Sequence, residues 1–181
     1  MIKTIRNKDE EFFKMLYCCG VITEYGLQLM NVSSYKLNLY KANNMIDIVY
    51  QNGIKGYKLT SKAKKIMSKM YGLKRSYMYK SIRHCSKLQE IYLNLDLQRY
   101  KWITESEALY LINNKIDSLD KYNRKALNYD SISPVDAILV DRETNVAYGI
   151  EIISPSYRES DLNKKDKFLR LLGIEAIFIE C

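Results

Sequence analysis

At 181 residues the chain suits one large domain or two small ones, and its 47% hydrophobic content allows a buried core and argues against gross disorder. It has no apolar run of about 18 residues, so no membrane span is expected. The opening MIKTIRNKDEEFF lacks the apolar stretch of a secretory signal, which points to the cytoplasm.

The net charge of +8 is unevenly spread. Residues 1–100 hold 18 Lys/Arg and 7 Asp/Glu, a net of +11, while residues 101–181 hold 11 and 14, a net of −3. A basic half joined to a mildly acidic half suggests a polyanion-binding module followed by one of different purpose. Cys18, Cys19, Cys85 and Cys181 form no CxxC pair, and reduced thiols are expected.

Phe12, Phe13, Leu16 and Cys19 recur near helical spacing over 8–19. Asp9, Glu10 and Glu11 sit in the first turn, where the helix dipole favours negative charge, and Gly20 is a natural stop. Thr23 is a candidate cap for a short helix over 24–30, and Ser33 or Ser34 for a third reaching about Asn43. Ile46, Ile48 and Tyr50 then alternate with polar or outward positions. Asn52-Gly53 and the return strand with Tyr57 and Leu59 complete a β-hairpin signal, because both turn residues must take positive φ. Thr60 or Ser61 caps a basic helix over 61–71.

Residues 75–100 contain neither Gly nor Pro and carry Met78, Ile82, Cys85, Leu88, Ile91/Tyr92 and Leu95 at threes and fours. They predict one long amphipathic helix that links the two halves and offers a face for a homodimer. A strand begins at Trp102-Ile103, and Glu105–Leu111 suits a helix. A polar loop or short helix covers 112–131. Val135–Val140 and Val146–Ile153 form a hairpin about the turn Asp141–Asn145. A basic helix follows over Ser160–Leu172, then Gly173 and a last strand over 174–180. The expected domains are 1–73, a linking helix over 74–100, and a small α/β sheet domain over 101–181.

Helix, helix, helix, two-stranded wing, helix is the order of a winged helix-turn-helix. On helix 33–43, Leu37 and Leu39 or Tyr40 should pack inward, with Tyr35 partly so. Ser34, Tyr35, Lys36, Asn38 and Lys41 are candidates for DNA contact, since Asn suits adenine edges and Lys suits guanine edges or phosphate. Lys55 and Lys58 on the wing, with Lys62, Lys64 and Lys65 beyond it, are candidates for phosphates. A solvated basic face that binds protein is the competing reading.

In the second half, Asp136 and Glu151 stand on neighbouring strands, where two carboxylates suit a divalent metal. Pro134-Val135-Asp136 followed by Glu151-Ile152-Ile153 resembles the PD-(D/E)xK core of restriction-endonuclease-like proteins. Ile153 occupies the position of that family's lysine. Lys164, Lys165 or Lys167 on the next helix could replace it, and Lys165 is the candidate carried forward. With Ile153 in place of that lysine, the expected reading is an inactive core kept for architecture or partner contacts, in a double-stranded DNA-binding protein.

Across most of the chain, the winged helix, the IRHCSKLQEIYLNL segment and PVDAILV…GIEII together resemble the replication–relaxation proteins of plasmids and other mobile elements. The resemblance implies a role in replication control or relaxosome-like assemblies, with other plasmid proteins as partners, and a structural role for His84. A metal-dependent nuclease or nickase using Asp136, Glu151 and Lys165 with Mg²⁺ or Mn²⁺ is one alternative; a ligand-responsive repressor is another.

Several chemistries are disfavoured. One histidine excludes the three-His cluster of rolling-circle relaxases and weakens a tyrosine-recombinase reading. The phosphate-loop and dinucleotide glycine motifs are absent, and no Cys/His spacing suits zinc. Most of the 16 tyrosines should serve as core or stacking residues.

Overall fold

The computed structural model describes residues 7–72, 75–117 and 132–180. It is a mixed α+β chain with two separate sheets, divided into compact units Met1–Leu95 and Asp96–Cys181. Among the described residues, no helix is long and apolar enough to cross a membrane.

The first unit contains α1 (Asn7–Cys19), β1 (Ile22–Thr23), α2 (Glu24–Leu29), α3 (Ser34–Ala42), β2 (Ile46–Gln51), β3 (Ile54–Leu59), α4 (Ser61–Tyr71) and α5 (Ile82–Leu93). Its sheet is antiparallel throughout, in the order β1-β3-β2. Asn52 and Gly53 have φ of 51° and 75°, the left-handed conformation that closes a two-residue hairpin. The Ser33 hydroxyl accepts the Lys36 N–H, and the Thr60 hydroxyl accepts the Ala63 N–H at 3.1 Å. Each satisfies an amide that the first turn leaves without a helical partner. Thr23 departs from expectation. Its side chain makes no cap bond, and its N–H donates instead to the buried Gln89 on α5 at 3.1 Å.

The long linking helix is shorter than the sequence suggests. Residues 75–81 are not helical; within them Tyr77 is buried and its N–H donates to the Tyr17 carbonyl. The Ser81 hydroxyl accepts the His84 N–H, so the helix starts at Ile82. A tertiary anchor and a local cap together override the run of helix formers. Ile82, Cys85, Leu88 and Tyr92 of α5 are buried, and α5 packs on α1, α2 and β1. Its apolar face is therefore used inside the first unit, which removes helix length as an argument for dimerisation. His84 is buried and stacked on Tyr77.

The second unit contains β4 (Tyr100–Thr104), α6 (Glu105–Asp117), β5 (Ala137–Asp141), β6 (Ala147–Ile153), α7 (Glu159–Leu172) and β7 (Glu175–Glu180). Its strands lie in the order β4-β5-β6-β7; β6 and β7 are parallel and the other pairs antiparallel. The helix after β6 supplies the crossover that a parallel pair requires. Ala108 and Ile112 of α6, Ile138 of β5, and Phe168 and Leu169 of α7 form one buried cluster. Gly149 lets Leu169 rest against the backbone of β6, since a Cβ there would overlap the leucine side chain. Within 112–131, expected as a polar loop or short helix, the chain continues α6 as far as Asp117, and 118–131 lies outside the described residues.

Candidate functional site

Alternation along β3 puts Lys55 and Tyr57 on one face of the hairpin and Lys58 on the other. The Lys55 ammonium lies over the Tyr57 ring and 3.6 Å from Glu24. Lys58 lies over Tyr79, whose hydroxyl bonds Gln51 at 3.2 Å. Lys55 and Lys58, expected to act together, therefore lie on different faces of the hairpin.

On α3, Leu37 and Tyr40 are buried as the helical period demands, but Leu39 is 41% and Tyr35 75% exposed. Ser34, Asn38 and Lys41 share the exposed side with them. Lys36 does not join that face as a free cation, because its ammonium is bonded to Asp9 of α1 at 2.8 Å. On α4, Lys65 is exposed, while Lys62 donates to the Asn43 carbonyl at the end of α3, at 2.8 Å. Lys64 is half-buried, and burial followed by the charge of Lys58 lowers its ammonium pKa. The ten predicted DNA contacts thus divide into an exposed set on α3 and α4 and several lysines with roles inside the unit.

In the second unit, Asp136 immediately precedes β5, Glu151 lies on β6, and Lys165 lies on α7; all three are buried. The Asp136 N–H donates to Glu151 Oε2 at 3.0 Å, and the Ile152 N–H donates to Asp136 Oδ2 at 2.8 Å. This reciprocal exchange of carboxylates and amides binds the start of β5 to β6. The Lys165 ammonium is 2.9 Å from Glu151 Oε1 and also donates to the Pro134 carbonyl. Helix periodicity selects it, since Lys165, Phe168 and Leu169 are the buried positions of α7. Lys164 and Lys167 are not on that buried face. Ile153 therefore does not leave the site without a lysine, because α7 delivers one from outside the strand.

Burial, and then the charge of Asp136, raise the Glu151 pKa; Lys165 and Tyr157 oppose them. Tyr157 donates its hydroxyl to Glu151 Oε1. Burial first, and then Glu151, Asp136 and Glu105, hold the phenol in its protonated form. The Glu105 N–H donates to the Asp136 carbonyl at 3.1 Å, which ties the start of α6 to the same point. Neither Glu105 nor Tyr157 was found from sequence. Glu105 heads an ordinary helix, and Ser-Pro-Ser-Tyr before α7 carries no motif.

Asp136 and Glu151 supply hard oxygen atoms of the kind a divalent cation such as Mg²⁺ takes, with water and phosphate oxygens completing its shell. Such a cation would have to displace the amide, lysine and tyrosine donors that now hold them. Among the described residues, no group of three or more His, Cys, Asp or Glu side chains is arranged to hold a metal. A cation here would therefore rely on Asp136 and Glu151.

Comparison of the chain with family models, curated proteins and solved structures finds no match.

Proposed function

We propose that the protein binds duplex DNA through its first unit and cleaves it, with a divalent cation, at the Asp136–Glu151–Lys165 centre of its second. The observation that carries the cleavage reading is the arrival of Lys165 at Glu151, 2.9 Å away, from a helix beyond the motif.

The order α1-β1-α2-α3-β2-β3 suits a winged helix-turn-helix, with α3 as the recognition helix and β2–β3 as the wing. Ser34, Asn38 and Lys41 offer groups for base edges and phosphates, and Tyr35 offers an exposed ring and hydroxyl. Net positive charge in this half favours polyanions. The second unit suits a restriction-endonuclease-like core whose lysine has moved to α7. A bound Mg²⁺ or Mn²⁺ would polarise the phosphodiester and lower the pKa of water. Asp136 and Glu151 would hold it. Lys165 would place a cationic donor beside the attacking oxygen and the developing phosphoryl charge. Replication control or mobilisation of a plasmid or other mobile element is the setting proposed for this activity.

A second reading is a duplex-binding regulator without cleavage. It is favoured by the complete burial of Asp136 and Glu151, whose bonds also serve to join β5 and β6. Supercoiled plasmid incubated with the protein and Mn²⁺ separates the two. Cleavage is expected for wild type and not for Asp136→Asn or Lys165→Ala, with salt-dependent duplex binding retained by all three. Binding without cleavage by wild type would select the regulator.

A further inference from the structure

We infer that Tyr157 is a gate on the acidic centre: its hydroxyl holds a Glu151 oxygen that a divalent cation would use, and the Ser154–Tyr157 turn must swing outward to load the site. The inference rests on the metal-dependent reading of that centre.

Both Glu151 oxygens are engaged. Oε2 accepts the Asp136 N–H, and Oε1 accepts Lys165 and Tyr157. Two of these three donors are fixed by regular structure. The Asp136 amide stands at the entry to β5, and Lys165 lies inside α7 on its packed face. Tyr157 alone sits on the short link between β6 and α7, where Pro155, Ser156 and Arg158 are exposed. From Ser154 to Tyr157 the bonds are local, the Tyr157 N–H to the Ser154 carbonyl at 3.0 Å and the Ser154 and Ser156 hydroxyls 2.8 Å apart, while Arg158 is held as the cap of α7 by Asp161 and Leu162. Tyr157 can therefore leave Glu151 without breaking a strand or a helix turn. A phenol donating to a carboxylate makes a charge-assisted bond, and a cation competes for the same lone pairs.

The test is calorimetric titration of the full chain with Mn²⁺, for wild type, Tyr157→Phe and Asp136→Asn. Tyr157→Phe should bind Mn²⁺ about tenfold more tightly than wild type, the scale expected when a competing hydrogen bond to a charged group is removed. Asp136→Asn should not bind it. Equal or weaker binding by Tyr157→Phe, with wild-type binding intact, would overturn the gate and leave the metal reading standing. No Mn²⁺ binding by either protein would overturn both. A second measurement needs no variant at Tyr157: Mn²⁺ should accelerate chymotryptic cleavage after Tyr157 in wild type but not in Asp136→Asn. An unchanged or slower rate in wild type would sink the gate.

Discussion

Lys165, on the helix that follows the Glu151 strand, brings its ammonium to 2.9 Å from that buried carboxylate. Breaking a buried pair by removing one partner leaves the other charge desolvated, at a cost of about 3–5 kcal/mol. Lys165→Ala should therefore lower the stability of the second unit by about that amount as well as abolish cleavage. The double variant Lys165→Met/Glu151→Gln should recover much of the stability without recovering cleavage. Denaturant unfolding alongside plasmid nicking checks both.

The lysines of the first unit should separate by salt dependence. Lys41 and Lys65 are exposed, so replacing either by Ala should weaken duplex binding and reduce the slope of log affinity against log salt by about 0.9 per lost phosphate contact. Lys36 is tied to Asp9, so Lys36→Ala should leave the slope unchanged and act through the anchoring of α3 on α1. Fluorescence anisotropy with a labelled duplex over a salt series provides the measurement. A reduced slope for Lys36→Ala would show that the Asp9 pair opens on binding.

Asp141 gives the second unit a defined acid limit. Arg99 reaches its Oδ2 with Nε at 3.1 Å and a terminal nitrogen at 2.7 Å, while the Glu143 and Thr144 amides donate to Oδ1. Hydrogen bonding from Arg99 is the largest influence and, with those amides, holds the carboxyl below the ordinary aspartate value of 3.8. A carboxyl depressed on folding stabilises the native state above its unfolded pKa. That contribution is lost as pH falls through the folded value. Thermal stability should therefore decline as pH drops below about 4 in wild type, and Asp141→Asn should be less stable at neutral pH with a shallower acid decline. Melts across a pH series test the sign.

Gly149 controls the seat of α7. A methyl group there would meet Leu169 and push the helix away from β6, shifting Lys165 relative to Glu151. Gly149→Ala should destabilise by about 1–3 kcal/mol, the usual range for overpacking. It should reduce cleavage beyond the loss explained by the unfolded fraction. Adding Leu169→Ala should relieve the overlap while leaving its own cavity. A Gly149→Ala protein with wild-type stability would rule out the close approach.

Short-range chemistry was enough for much of the local structure to be legible in the sequence. Asn52-Gly53 closes its hairpin because two adjacent residues take positive φ, and Ser33 and Thr60 start helices by reaching amides three residues on. The strand that follows Asp136 and the strand that carries Glu151 were readable from apolar runs flanking a turn. The tertiary structure decided what depends on distant partners. Tyr77 and Ser81 shorten the linking helix, Asp9 takes Lys36 out of the exposed set, and the alternation of β3 parts Lys55 from Lys58. It also decided which of three neighbouring lysines meets Glu151, because only the phase of α7 on the sheet turns Lys165 inward. Residue types and periods set what each segment can become. The packing of segments far apart in the chain sets which charges become neighbours.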